Sequence, residues 1–432
     1  MHRFLILLAI FVLLSGWSVV DSFLSAENDA DVVGDFGTPI AGLSPLQLAR
    51  FELGRTMFER TFRRLDGLGP HFNADSCASC HEDPTTGGSS QRYRDFFLAG
   101  NTNGDGLTQL YPECTVDNAP MARTDLCLPS LVIPHFGPKG SIQNPTDADV
   151  EHPSIPTDTT VVARRNAPPI FGVGLFRLVS DSEILSRNDP FDIDGDGISG
   201  RVNLIASEGN AIGRFGFKCQ TASIEAFNRG ALNNQMGITS DSIAIQVGDA
   251  GTSSESRWIA ELLETKTAHA QVAEPRDRIV DFDGVLDPEI SRTELIALVF
   301  FQENLAAPRR GRITPSVRLG EQIFEDIGCA ACHVPTLATS IGCIHPYTDL
   351  LIHDMGPDLD DGVPMADAAG SEFRTQPLWG LCEHPPFLHD GSADTVSEAI
   401  LRHGGEAAAA AASYADLSDN DRRYLHRFLE SL

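Results

Sequence analysis

The sequence predicts a mainly α-helical protein with long loops and few short strands. Three observations carry that expectation. A Cys-x-x-Cys-His motif occurs twice, an amphipathic helix pattern precedes each copy, and a capped helix closes the chain. The copies are Cys77-Ala78-Ser79-Cys80-His81 and Cys329-Ala330-Ala331-Cys332-His333. Two thiols three positions apart can each add to a vinyl group of one haem, and the adjacent imidazole then reaches the iron from the same face. A zinc site would call for a second ligand pair nearby, and a redox dithiol has no need of the histidine. The pair of motifs therefore predicts two covalently attached c-type haems. Cys77, Cys80, Cys329 and Cys332 would carry the thioethers, with His81 and His333 as proximal iron ligands. The fold class is accordingly mainly α, two cytochrome c-like haem domains with long loops and few short strands.

The elements follow in chain order. Met1-His2-Arg3 and the apolar run from Phe4 to Leu14 read as a secretory signal peptide over residues 1–25. Trp17, Val19 and Val20 prolong the run, so an uncleaved anchor is the competing reading. Either predicts an exported, periplasmic-type location, the side on which c-type haem is attached. Ser44-Pro45 is a helix start, with a cap and a first-turn proline, and Leu53-Gly54-Arg55-Thr56-Met57-Phe58 lies in an i, i+3/i+4 pattern running toward the first motif. Residues 84–165 are rich in Pro, Gly, Asn and Thr and predict long loops with at most short strands. Residues 239–256 predict an exposed insertion. A boundary near residues 306–312 separates an N-terminal haem domain with large loop insertions (40–306) from a C-terminal cytochrome c-like domain (307–432). Thr314-Pro315 starts a second helix, whose Leu319-Gly320-Glu321-Gln322-Ile323-Phe324 echoes the first. The alanines from Ala407 to Ala412 form a spacer. Ser418 caps a last helix with Asp421 in the place of the usual Glu or Gln, and its apolar face is Leu425, Phe428, Leu429 and Leu432.

Charge bounds the partners. Lys and Arg number 32 against 60 Asp and Glu, a formal charge of −28. That balance excludes nucleic acid and anionic membrane surfaces as partners. It would attract a basic electron-donor protein, although an acidic surface also serves solubility alone. The five cysteines outside the motifs are Cys114, Cys127, Cys219, Cys343 and Cys382. In an oxidising compartment a local Cys114–Cys127 bridge is expected. Cys343–Cys382 is a second candidate pair, and Cys219 is left as a buried thiol.

Further motifs point to a family. Gly69-Pro70-His71-Phe72-Asn73, Arg214-Phe215-Gly216-Phe217-Lys218, Gln235-Met236-Gly237-Ile238-Thr239-Ser240 and His353-Asp354-Met355-Gly356-Pro357 are four of them. Phe373-Arg374-Thr375-Gln376-Pro377-Leu378-Trp379-Gly380, Leu388-His389-Asp390-Gly391 and His403-Gly404-Gly405-Glu406-Ala407 complete the set. From about residue 40 to the end the chain resembles the bacterial dihaem oxidoreductases, relatives of the dihaem cytochrome c peroxidases.

The resemblance implies site residues. Thr395 to Gly404 is similar to the peroxidase segment that ends in a distal Met, and here that position is His403, so the second haem would be bis-His. A thioether favours reduced iron, so an imidazole in its place lowers the potential. The alternatives are that His403 only caps its helix, or that Met355 is the ligand. For the first haem the sixth position is open iron, water, or a histidine of the loop region, His135 before His152. His71, His345, His384 and His389 read as loop or hydrogen-bonding residues. Arg165-Asn166-Ala167-Pro168 and Thr375-Gln376-Pro377 are similar to runs that hold an inter-haem calcium, which implies Asn166, Thr375 and Pro377 as contacts. Independently of the family, Asp192, Asp194 and Asp196 match the first half of an EF-hand-type loop, whose twelfth position is Asn203 instead of a bidentate Glu; an Asx-turn loop is the competing reading.

The resemblance also implies catalytic groups over the first haem. Gln220 matches the peroxidase Gln. Gln235 falls where those enzymes carry a proton-moving Glu, and an amide cannot take that proton; Glu225 could substitute from an inward-facing helix position. The implied function is reduction of hydrogen peroxide or a related small oxidant at the first haem. Electrons would be relayed from a redox partner through the second haem, with Trp379 or calcium-ordered backbone bridging the gap. A non-catalytic dihaem electron carrier and an oxidase of a partner protein's side chain are the alternatives. A homodimer is compatible with all three.

Overall fold

The computed structural model describes residues 32–69, 74–102, 108–109, 132–133, 160–240, 242–243 and 285–432. Two helix pairs built in the same way dominate it. Helix α1 (Pro45–Glu59) starts at the expected place: Ser44 accepts from the Gln47 N–H, and the Gln47 side chain accepts from the Ser44 N–H. It crosses α4 (Arg292–Glu303), itself started by a Ser291–Glu294 capping box. The crossing is at Gly54, where a Cβ would lie 2.0 Å from the Ala297 carbonyl oxygen. Only hydrogen fits there, so the helices approach backbone to backbone. Helix α5 (Pro315–Asp326), capped by Thr314, crosses the last helix, α8 (Asp419–Leu429), capped by Ser418. That crossing is at Gly320, where a Cβ would lie 2.0 Å from the Tyr424 carbonyl oxygen. The Leu-Gly echo in the sequence is thus one packing solution used twice.

Three apolar clusters follow from this arrangement. Phe51, Phe58, Leu295, Leu298 and Phe301 fill the α1–α4 contact together with Leu68, Met236 and Ile238. Val317, Phe324 and Tyr347 fill the other with the expected face of α8, Leu425, Phe428, Leu429 and Leu432. A buried Phe or Leu contributes roughly 1.5–3 kcal/mol, so each pair is held by its own core. The third cluster lies between them and draws Leu175, Phe176, Val179 and Ile184 from one side and Leu337, Ile344, Leu350 and Trp379 from the other.

Between α1 and α4 lie α2 (Asp181–Leu185) and α3 (Ile224–Ala231), the latter continuing into a single π-helical turn at Leu232–Met236. Helices α6 (Val396–Leu401) and α7 (Ala408–Ala415) precede α8, and the alanine run is indeed helical. The strands are short. β1 (Val33–Gly34) pairs in parallel with β8 (Ala307–Pro308), so the segment expected as a boundary is tied back to the start of the described chain. Within the loop-rich region, β2 (Phe96–Thr102) pairs with β3 (Thr108–Gln109), β4 (Val132–Ile133) and β5 (Val161–Arg165). β6 (Leu204–Ile205) pairs with β7 (Ala211–Ile212), β9 (Leu337–Thr339) with β10 (Gly342–Ile344), and β11 (Ile352–Asp354) with β12 (Glu372–Arg374). β-Branched Val161 and Val162 suit a strand, but no periodic pattern announced it.

Among the described residues no helix is long and apolar enough to cross a membrane. The export segment, Cys114, Cys127, His71, His135 and His152 lie outside the described residues. The Cys343–Cys382 pairing is not formed. Cys343 sits in β10 opposite Ala338, whereas the exposed Cys382 thiol turns to the Glu430 carbonyl. Cys219 is a fully buried free thiol, as expected, donating to the Leu350 carbonyl at 3.4 Å.

Candidate haem sites

Both Cys-x-x-Cys-His motifs form tight turns: the second follows α5 directly, and the first, further along the chain, returns to the end of α1, where the Ala78 N–H donates to the Phe58 carbonyl. In the first, the Cys80 and His81 N–H groups donate to the Cys77 carbonyl. The chain then folds back on itself, with Gly87 N–H on the His81 carbonyl and Ser89 N–H on that of Asp83. Gly87 has φ +97°, and a Cβ on Gly88 would meet the Asp83 carbonyl oxygen at 1.9 Å, so this return needs glycine at both positions. It presents the Gly88 carbonyl to His81 Nδ1 at 3.0 Å. In the second motif Gly328, at φ +88°, opens the turn, and the His333 N–H donates to the Cys329 carbonyl. His333 Nδ1 donates to the Tyr347 carbonyl at 2.9 Å.

The consequence is the same at both sites. A carbonyl can only accept, so the ring proton sits on Nδ1 and Nε2 keeps its lone pair. That is the orientation a metal-binding imidazole needs. Burial holds His81 below the ordinary histidine range against the Gly88 and Pro168 carbonyls. It pushes His333 down to about 4, helped next by His403. Phe58 tilts against His81 at 5.8 Å between ring centroids, and Phe324 against His333 at 6.3 Å. Each ring comes from the echo segment, four residues after its crossing glycine. None of the four motif cysteines is in a disulfide. Burial pushes Cys77 up to about 12, Cys80 up to about 11 and Cys329 up to about 12. Unpaired thiols beside an Nε2 lone pair, twice, is a donor set that fits two c-type haems.

His403 lies at the end of α6. Its Nδ1 donates to the Ala399 carbonyl at 2.7 Å, and its charge would disfavour protonation of His333. Its charge thus acts on His333, and, with Nδ1 on the Ala399 carbonyl, its Nε2 keeps its lone pair. Met355, the rival ligand, pairs its backbone N–H with the Ser371 carbonyl on the adjoining turn.

The other expected residues disperse. Gln220 folds back on its own turn, its Oε1 accepting from the Lys218 N–H at 3.0 Å. Gln235 lies on the π-helical turn, and its carbonyl accepts from the Ala74 N–H, close to the first motif. Glu225 does not face inward as a free base, because its carboxylate accepts from Ser242 Oγ and the Ile243 N–H. Asn166 is buried, donating its side chain to Asp95 at 2.7 Å and its backbone N–H to the His389 carbonyl. Thr375 Oγ1 is buried without a hydrogen-bond partner, while its carbonyl accepts from Thr348; Pro377 is partly buried two residues on. No hydrogen bond among the described residues joins Asn166 to Thr375. The carboxylate oxygens of Asp192, Asp194 and Asp196 lie within 4.8 Å of one another. Their loop also satisfies itself: Asp192 accepts from the Gly197 N–H and Asp196 from that of Ile198. Asn203, the twelfth position, is fully buried and spends its amide on the Lys218 and Met365 carbonyls. It is a structural residue, not a ligand. His345 bonds Thr336 and His389 stacks on Phe373 at 4.1 Å, whereas His384 Nε2 is buried without a partner. Trp379 is buried in the central cluster and stacks on Phe176 at 5.7 Å.

Sequence reasoning passed over one group beside the second motif. His353 places Nε2 2.8 Å from Asp349 and Nδ1 2.9 Å from Glu406, with Cys332 Sγ 3.6 Å away. His353 and Glu406 both stood in family motifs, but nothing in the sequence joined them.

The family model described as "Di-haem oxidoreductase, putative peroxidase" matches residues 130–432, well over half of the chain. The chain belongs to this family. The matched span holds the second motif and His403 but begins after Cys77–His81, so it is shorter than the resemblance expected from about residue 40. Dihaem oxidoreductase chemistry of the peroxidase-like kind is therefore this protein's class. No curated protein matches the chain. The crystal structure of a MauG-like protein associated with microbial copper homeostasis is similar at 17% identity and a TM-score of 0.30, over 61% of this chain and 89% of that one. Kuenenia stuttgartiensis hydrazine synthase is similar at 21% identity and a TM-score of 0.24, over 32% of this chain; the chain spans about half, 55%, of its length. At those scores neither likeness bears on architecture or chemistry.

Proposed function

We propose that this is an exported dihaem c-type oxidoreductase that reduces hydrogen peroxide or a related small oxidant at its N-terminal centre. Electrons arrive from a redox partner protein through the C-terminal centre. The observation that carries this reading is the pair of histidines, His81 and His333, each tied through Nδ1 to a backbone carbonyl beside two unpaired thiols. When bound, the haems supply the electron-carrying and oxidant-binding iron. The chain's own residues do the rest. Cys77 and Cys80, and Cys329 and Cys332, anchor; His81 and His333 are held to ligate from the proximal side. His403 would supply a second imidazole to the second centre. Residues 40–306 form the N-terminal haem domain and 307–432 the C-terminal one, in keeping with the two helix pairs.

The first centre has Gln235 nearby, a group that can hydrogen-bond an oxidant and cannot accept its proton. Gln220 completes that reading only if its side chain leaves the Lys218 turn. Trp379 as a bridge between the centres is supported by its stacking within the cluster that draws on both halves. Calcium at Asn166, Thr375 and Pro377 is supported by the unpartnered Thr375 Oγ1 and by the Asp95 carboxylate beside Asn166. Calcium at Asp192, Asp194 and Asp196 rests on their convergence alone. A second reading, a non-catalytic electron carrier, is favoured by one observation: Glu225, the carboxylate that could replace Gln235 in proton transfer, is already committed to Ser242 and Ile243.

Mass spectrometry of the denatured, purified polypeptide tests the reading. It should carry the mass of two haems, and trapping Cys77, Cys80, Cys329 and Cys332 as free thiols would overturn it.

A further inference from the structure

Glu406 receives more hydrogen bonds than any role in a spacer requires. Its Oε1 accepts from Ser199 Oγ at 2.8 Å and from the Asp354 N–H at 3.2 Å. Its Oε2 accepts from the Ser199 N–H at 3.0 Å and from His353 Nδ1 at 2.9 Å. His353 is buried, and its other nitrogen is bound by Asp349, whose remaining oxygen accepts from the Leu351 N–H. A neutral imidazole has one N–H; facing two carboxylates, this ring is held as the doubly protonated cation. The ring also touches Cys332 Sγ.

Glu406 stands three residues after His403, so this chain of contacts joins the Cys332–His333 side of the second site to the turn that carries His403. The backbones interlock at the same place. A Cβ on Gly405 would lie 2.1 Å from the Asp354 carbonyl oxygen, and one on Gly404 would lie 2.8 Å from that of Met355. The turn is therefore pressed against β11 with no space for a side chain and then pinned by the carboxylate.

We propose that Glu406 and His353 are positioning residues for the His403 imidazole: the Asp349–His353–Glu406 strap fixes the His403 turn beside the second motif. This rests on the reading of His403 as the second iron's distal ligand. The effect of Glu406 and His353 is to lower the freedom of His403 to swing away, as supporting contacts do around metal ligands.

The test is electron paramagnetic resonance of the holoprotein in Glu406→Ala, Glu406→Gln, Ser199→Ala and His403→Ala, with thermal unfolding and binding of added imidazole measured alongside. The strap predicts that Glu406→Ala loses low-spin signal from the second centre and binds added imidazole there roughly tenfold more tightly than wild type. Glu406→Gln, which keeps an accepting oxygen, should recover part of the signal. Ser199→Ala, which removes one donor, should shift it in the same direction by less. A Glu406→Ala protein that melts earlier but keeps the low-spin signal and ignores imidazole would show a merely structural contact and overturn the proposal. If His403→Ala itself leaves the signal unchanged, the ligand reading has failed, and the strap with it.

Discussion

The two halves of this molecule solve one problem identically and then diverge. In each, a helix crosses its partner at a glycine, Gly54 or Gly320, and a phenylalanine four residues later, Phe58 or Phe324, leans on the motif histidine. In each, that histidine is tied through Nδ1 to a carbonyl. The difference lies in what else surrounds each motif. The second site has His403, itself tied through Nδ1 and strapped by Glu406 and His353. The first site has no histidine so placed among the described residues; the π-helical turn of Gln235 reaches it through the Ala74 N–H, which donates to the Gln235 carbonyl. Under the proposed function, this similarity around the motif histidines and the difference beyond them would suit a relay, with one centre closed for electron transfer and one left for an oxidant.

Breaking the motifs should have the largest effect. Replacing Cys77 and Cys80, or Cys329 and Cys332, with serine should each remove one of the two haems from the denatured polypeptide by mass spectrometry. Only the second replacement should abolish the low-spin bis-imidazole signal. Next come the crossing glycines. Gly54→Ala and Gly320→Ala each drive a methyl group into a carbonyl oxygen and should each cost about 1–3 kcal/mol in denaturant unfolding; a loss at only one would show the scaffolds are not equivalent.

The distal faces are then sharpened by exchange. His403→Ala should let cyanide bind the second centre. Gln235→Glu should raise peroxide turnover at the first by roughly tenfold or more, the scale of a restored proton-transfer group. Unchanged turnover would favour the electron-carrier reading. The smallest effect concerns pH. His353 and Ser199 hold the Glu406 carboxyl down to about 2 against the opposing effect of burial. A depressed carboxylate pKa stabilises the fold above the ordinary carboxylate range and loses that contribution as pH falls toward the folded value. The stability gap between wild type and Glu406→Gln, about 1–3 kcal/mol at neutral pH, should therefore close as pH drops from about 4.5 to about 2.

Much of this was legible in the residues. Caps announced themselves because Ser44, Thr314 and Ser418 accept locally, within one turn of chain, and the motif histidines are fixed by covalent spacing. The echo was visible too, but its glycine was not recognisable as a crossing point, because the partners, Ala297 and Tyr424, lie far away in sequence. The carbonyls of Gly88 and Tyr347 could not be foreseen, since every residue carries one and only the folded return of the chain selects it. The same holds for Glu406: its partners His353 and Ser199 lie 53 and 207 residues away in the sequence. The expected Cys343–Cys382 bridge failed for the converse reason. Two leftover thiols in one region say nothing about direction, and here one lies in a strand while the other faces the C-terminal helix.

The inequality of the two centres is tested most directly by electron paramagnetic resonance of the half-reduced protein, with and without hydrogen peroxide. The account predicts a high-spin ferric signal from the Cys77–His81 centre that disappears on peroxide addition, next to a second centre that takes up no added ligand. Two low-spin centres indifferent to peroxide would contradict it.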